Sequence, residues 1–279
     1  MSIELIRLAP FNGVAANSLA NLDLSQLLGF TVENIFLQLG GTFTKAQLTA
    51  IQLKANGKVI VDTDGARCDA RMQFRGLTAA ATLLCLDFSE YKARSKVAAY
   101  SGALDTTLGV RNLRLECQIG AATSPTLQAF ASVSAPLVSP EFGGVRPLIS
   151  RVHRVTQTIG AAGTFPLAVP HLDPVAGGSI FKRIAVHSAN MTGALVTRNG
   201  VNVHESIKAI NDYRQQYQGG RTPQAGVYML DFIVDNIQED AVLDTRPASG
   251  CSTAAVFGTF SAGETITIES EVLEPLDVY

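Results

Sequence analysis

The chain has 279 residues, 47% of them apolar and only 16% charged, with a formal net charge of −2; a globular domain usually carries about 25% charged residues. Lys and Arg are scattered singly, so there is no basic face to neutralise phosphates, which excludes a sequence-specific nucleic-acid reader. No run approaches the ~18 uninterrupted apolar residues of a membrane span, and "MSIELIRLAP" lacks the apolar core of a signal peptide. The expectation is therefore a soluble protein made in the cytosol without signal-directed export.

Period-two alternation dominates the first half, in "SIELIRL" (2–8), "SLANLDL" (18–24), "ENIFLQL" (33–39), "AIQLKA" (50–55), "KVIVDT" (58–63), "ATLLCLDF" (81–88) and "NLRLECQI" (112–119). Gly, Pro and Asn punctuate these strands at the rhythm of a sandwich or barrel. "DGARCDARMQFRG" (64–76), with Cys68 and Met72 four apart, predicts a short, weak helix. "TSPTLQAFASVSAPLVSPEFGG" (123–144) reads as a long apolar connection, or an extra strand leading onward. "SAPLVSPEFGGVRPLIS" (134–150), with its prolines and Gly-Gly, marks the domain boundary, giving halves 1–140 and 141–279.

The order then restarts with "VHRVTQTI" (152–159), "IFKRIAVHSA" (180–189), "ALVTRN" (194–199), "VNVHE" (201–205), "VYMLDFIV" (227–234) and "ETITIESEV" (264–272). Asn56-Gly57 matches Asn199-Gly200, Leu86-Asp87-Phe88 matches Leu230-Asp231-Phe232, and Leu104-Asp105-Thr106 matches Leu243-Asp244-Thr245. "LRLE" (113–116) is set opposite "TITIE" (265–269) as a fourth marker. Four markers in one order at nearly constant offset predict an internal duplication. The clear helix lies in "HESIKAINDYRQQYQGG", where Ser206 could cap it and Gly219-Gly220 would end it. Ile207, Ile210, Tyr213 and Tyr217 recur at helical spacing and are expected on its packing face, with Lys208, Asp212 and Gln216 facing away.

Recognisable chemistry is sparse. His153, His171, His187 and His204 form no His-x-His or His-Glu-x-x-His group, so a cupin-type metal centre is not expected and each reads as an ordinary strand or loop residue. "DTDG" (62–65) resembles the start of a calcium loop, but no Glu closes it, and a turn explains it better. Asp235, Glu239 and Asp240 could contribute to a structural calcium site between subunits, the single metal expectation. There is no nucleophile elbow and no phosphate-cradling loop. The four cysteines, Cys68, Cys85, Cys117 and Cys251, are not closely paired and suggest buried thiols rather than disulfides. No catalytic, cofactor-binding or metal residue is assigned.

The opening "FNGVAANSLANLDL" (11–24), then "ENIFLQLGG" and "LTAIQLKANGKVIVD", resembles corticovirus-type major capsid proteins; so do "IFKRIAVHSA", "ALVTRNGVNVHESIKAI" and "VYMLDFIVD" in the second half. The likeness spans nearly the whole chain in its order of elements. It implies an all-β fold of two tandem eight-stranded jelly rolls, each with a short helix after a hairpin, in the lineage that includes adenovirus hexon. It also implies a homotrimer with a roughly six-fold outline and lateral capsomer contacts, tiling an icosahedral virion. A vertex protein and an underlying viral membrane would be its further partners, and some members bind calcium. Two other readings stand beside it. One is a double jelly-roll hydrolase of glycans, needing paired carboxylates. The other is a receptor- or carbohydrate-binding spike, for which Tyr100, Tyr213 and Tyr217 are the aromatic candidates, the last two expected against the helix packing surface. The absence of Trp counts against sugar binding.

Overall fold

The computed structural model describes residues 4–78, 80–90, 92–93, 99, 101–136, 148–236 and 243–276. Two compact units emerge: residues 1–73, 77–151 and 275–279 form one, and residues 74–76 and 152–274 the other. The junction expected between residues 140 and 141 lies outside the described residues.

The first unit contains β1 (Glu4–Arg7), β2 (Leu19–Asp23), β3 (Thr31–Gly40), β4 (Leu48–Ala55), β5 (Lys58–Thr63), α1 (Gly65–Phe74), β6 (Leu83–Asp87), β7 (Leu104–Asp105), β8 (Leu113–Ile119) and β9 (Thr126–Ser134). One sheet runs β1-β9-β3-β6, with β7 also on β3; the other runs β2-β8-β4-β5. Alternate residues fill the core: Leu113, Leu115, Cys117 and Ile119 of β8 are buried, as are Ile35 and Leu37 of β3. This is the two-period pattern of strands with one face inward.

The second unit contains β10 (Ile149–Ile159), β11 (Gly163–Pro166), β12 (Ile180–His187), β13 (Met191–Arg198), β14 (Val201–Ile207), α2 (Lys208–Gly219), β15 (Val227–Asp231), β16 (Leu243–Asp244), β17 (Ala254–Phe260) and β18 (Glu264–Glu274). Its sheets run β10-β18-β12-β15, with β16 on β12, and β11-β17-β13-β14. Adding nine to each strand number of the first unit reproduces the second, pairing for pairing. Each unit is thus eight strands in two four-stranded sheets, the jelly-roll arrangement, with one two-residue strand added. Ile184, Val196, Tyr228, Val256, Ile268 and Val272 are among the buried residues between the second unit's sheets.

The duplication reaches single residues. Asn56 and Gly57 turn at φ 51° and 80°, Asn199 and Gly200 at φ 52° and 76°, the positive angles that a two-residue hairpin of this type demands. Both hairpins slip register three residues before the Asn, at Leu53/Lys54 and at Val196/Thr197. β3 carries a bulge between Val32 and Asn34, and β12 one between Phe181 and Arg183. The Leu-Asp markers sit alike too. Asn34 faces Asp87 across β3 and β6 and donates to it at 2.6 Å; Arg183 faces Asp231 across β12 and β15 and pairs with it at 3.4 Å. Thr106 N donates to Phe30 O at 3.1 Å, and Thr245 N to Ser179 O at 2.9 Å.

Three expectations need correction. The counterpart of β8 is β17, not β18, so "LRLE" does not belong opposite "TITIE"; β18 corresponds to β9. Residues 126–134, within the expected connection, are β9, a nine-residue strand between β1 and β3 that completes the first unit. Leu127, Ala129, Ala131 and Val133 are buried along it. Lastly, α2 is turned the other way, which bears on the functional surface.

Candidate functional site

α2 starts after Ile207, without a side-chain cap, and ends where Gly220 takes the left-handed conformation at φ 57°. Its buried residues are Asn211, Gln215 and Gly219. Asn211 Nδ2 and Gln215 Nε2 both donate to Met229 O, at 2.7 and 2.6 Å, and Lys208 Nζ donates to Val227 O at 2.7 Å. Arg221 Nη2 continues the row onto Ile233 O at 3.0 Å. β15 ends its sheet, and alternate carbonyls of an end strand point away from the sheet with no strand to receive them. Polar side chains of α2 satisfy that row. The first unit does the same with sulfur: Cys68 Sγ of α1 donates to Cys85 O at 3.3 Å, and Cys85 N donates to Met72 Sδ at 3.0 Å. Cys68 and Met72 occupy in α1 the places of Asn211 and Gln215 in α2.

Because the amides face inward, the apolar stripe faces out. Ile207, Ile210, Tyr213 and Tyr217 are 62%, 60%, 66% and 79% exposed, contrary to the expected packing face. The Tyr213 and Tyr217 rings stack with centroids 6.2 Å and planes 8° apart. Ile210, Tyr213 and Tyr217 on the helix, with Ile207 at its N-cap, make the kind of apolar row that marks an interaction site. Lys208 and Asp212, expected to face away, pair at 3.0 Å. Tyr100, the third aromatic candidate, lies outside the described residues.

The second unit also holds a buried charge network. Glu271 on β18 meets Lys182 Nζ at 2.8 Å and Arg183 Nη1 at 3.1 Å, and Asp231 on β15 meets Arg221 Nε at 2.7 Å and Arg183 at 3.4 Å. All five side chains are almost wholly inaccessible. Removing one partner of such a network strands a buried charge, at a cost of about 3–5 kcal/mol. The network cross-links β12, β15 and β18 of the sheet whose edge α2 covers.

The histidines divide. His187 lies 3.6 Å from Glu269, and burial, with the nearby Arg214 charge, lowers the His204 pKa. His153 of β10 and His171 of the β11–β12 loop converge on Glu274, the last residue of β18: His153 Nε2 is 3.2 Å from Oε2, and His171 Nδ1 is 3.0 Å from Oε1. The two rings stack with centroids 3.8 Å apart. Among the described residues this is the one group of three or more His, Cys, Asp or Glu that could hold a metal. No local spacing announces it, since the first and last strands of the unit meet only in the folded sheet. "DTDG" begins α1: Arg67 N donates to Asp64 Oδ1 at 2.9 Å, the bond of a helix N-cap. Of the acidic residues expected to share calcium, Glu239 and Asp240 lie outside the described residues. All four cysteines are buried thiols rather than disulfides.

The family profile described as viral coat protein P2 N-terminal domain matches residues 5–134, and that of the viral coat protein P2 C-terminal domain matches residues 149–276. Among solved structures, the chain is similar to the major capsid protein P2 from bacteriophage PM2. The identity is 18%, the TM-score 0.83, and each chain is covered in full. The STIV major capsid protein superposes with a TM-score of 0.70 at 13% identity, over 99% of this chain and 98% of that one. A chain of the PBCV-1 virus capsid gives 0.60 at 12%, over 98% and 93%. None of the curated protein sequences matches. The repeated jelly roll and the match of both halves to one coat-protein family, which displaces the hydrolase and spike readings, agree: the chain belongs to the viral coat protein P2 family and is a structural, non-enzymatic capsid protein of the virion.

Proposed function

We propose that three copies of this chain form the capsomer. Two jelly rolls per chain, dividing near residue 140, give three chains six similar barrels and hence a six-sided tile for an icosahedral shell. The duplicated strand order, kept down to bulges and turn residues, is the observation that carries this reading. Five-fold positions of such a shell cannot take a six-sided tile, so a separate vertex protein completes it, above whatever membrane the virion encloses.

The contact between copies is assigned to the α2 stripe. A chain with only 16% charged residues has little charge with which to keep four large apolar side chains apart from another copy. Obligate interfaces of this kind bury on the order of 2,000 Å² or more. Sedimentation tests it: the protein runs near three times its 29.6 kDa chain mass, and the pair Ile210→Asp and Tyr217→Asp yields a folded monomer. A wild-type monomer at high concentration, or a trimer indifferent to both substitutions, contradicts the assignment.

A further inference from the structure

We propose that His153, His171 and Glu274 form a binding site for a divalent transition-metal ion of the zinc class. The site is separate from α2 and does not depend on the capsomer reading. One ligand atom from each residue lies within 4.8 Å of the other two. A tetrahedral ion with arms of about 2.0–2.1 Å spaces its ligands about 3.3 Å apart. His153 Nε2 and His171 Nδ1 lie 3.2 and 3.0 Å from Oε2 and Oε1 of Glu274, so one ion held by both rings is bound through both carboxylate oxygens or after the carboxylate turns one oxygen toward it. Two imidazoles and a carboxylate, with water in the fourth position, are a familiar zinc donor set. They do not suit calcium, which takes six to eight oxygens.

The carboxylate is buried, Glu274 being 2% exposed, with a histidine nitrogen beside each oxygen. Ser179 Oγ donates to Oε1, the outer hydrogen bond that fixes a ligating carboxylate. His171 sits at φ 60°, a conformation uncommon for a side-chain-bearing residue, and it is this backbone that delivers its ring to Glu274. The His153 and His171 rings are stacked and nearly parallel, so binding one ion requires the rings to rotate out of the stack about their Cβ–Cγ bonds until both planes contain it. Both rings are partly exposed, which gives an ion and its water a path in. A bound ion would tie β10, the β11–β12 loop and the end of β18 at one point.

The test uses chelator-stripped full-length protein titrated with Co2+ and followed by its visible ligand-field bands. The expected result is one ion per chain, displaced by Zn2+ and untouched by excess Ca2+, with a melting temperature raised by Zn2+ through mass action. His171→Asn removes the imidazole while tolerating the left-handed backbone, and His153→Gln removes the other ring from a regular strand. Each should weaken Co2+ binding at least tenfold with an unchanged circular dichroism spectrum, and if one fails to fold the other decides. No stoichiometric Co2+ binding, binding that survives either folded variant, or equal competition by Ca2+ overturns the proposal.

Discussion

Asn56 and Asn199 perform the same work in the two barrels through matching bonds to the main chain, Asn199 Oδ1 accepting one more from Ser252 Oγ at 3.1 Å. Asn56 Nδ2 donates to Gly109 O at 2.8 Å, and its Oδ1 accepts from Arg111 N and Asn112 N at 2.8 and 3.2 Å. Asn199 Nδ2 donates to Gly250 O at 2.9 Å, and its Oδ1 accepts from Ser252 N and Thr253 N at 2.8 and 3.2 Å. The main chain repeats too, Asn56 N to Asn112 O and Asn199 N to Thr253 O, both 2.8 Å. Each Asn therefore makes a left-handed hairpin turn and clamps the loop leading into β8 or β17. Ala can do neither, and Gly can do only the first.

It follows that Asn56→Ala and Asn199→Ala each cost roughly 2–3 kcal/mol, the sum of a strained turn and lost clamp bonds. The corresponding Gly variants should lose about half as much. Urea-unfolding midpoints measure this, and a pair of positions with clearly unequal losses would deny their equivalence.

The covered edge of β15 gives a second expectation. In the double variant Asn211→Ala with Gln215→Ala, Met229 O loses both donors while the apolar stripe of α2 is untouched. Stability should drop by about 1–3 kcal/mol, and the bared edge should promote sheet-to-sheet association. Light scattering on gentle heating would show aggregation starting below the wild-type temperature; identical onset would mean that the amides are dispensable.

Glu33, on the β3 bulge, supplies a pH signature. It is 1% exposed, and among the described residues neither oxygen makes a hydrogen bond of normal length. Burial raises its pKa, and the neighbouring Ser134 hydroxyl offsets this only in part. A carboxyl whose folded pKa lies above its unfolded value favours the fold below about pH 4.3 and progressively opposes it as pH rises through the folded value. Glu33→Gln should therefore raise stability more at pH 7 than at pH 4, where the carboxyl is largely protonated in both states. Denaturation midpoints at the two pH values decide it, and a gain that does not change with pH would be the wrong sign of evidence.

How much of this could be read from the residues alone depends on whether the signal was local. Alternation such as Leu113, Leu115, Cys117 and Ile119 shows on its face, and so does an Asn-Gly turn, because backbone geometry chooses those residues. β17 is hard to see: Ala254, Ala255 and Gly258 blur the alternation, and Gly258 is small because a Cβ there would come within 2.8 Å of the Phe260 ring. α2 misleads for a physical reason. Helical periodicity finds the apolar face, and packing on side chains would bury it. This helix instead packs on the carbonyl edge of a strand, which takes donors, so the amides go in and Ile210, Tyr213 and Tyr217 go out. The His153–His171–Glu274 cluster has no local signal, being made by the pairing of the first and last strands of its unit.

Electron microscopy of the isolated capsomer tests the central claim most directly, since a duplicated barrel matters only if copies use it to make a six-sided tile. The account requires class averages with six lobes around a threefold axis and, at higher resolution, α2 lying between neighbouring chains. Particles with two lobes, or rings in which α2 faces open solvent, would contradict it.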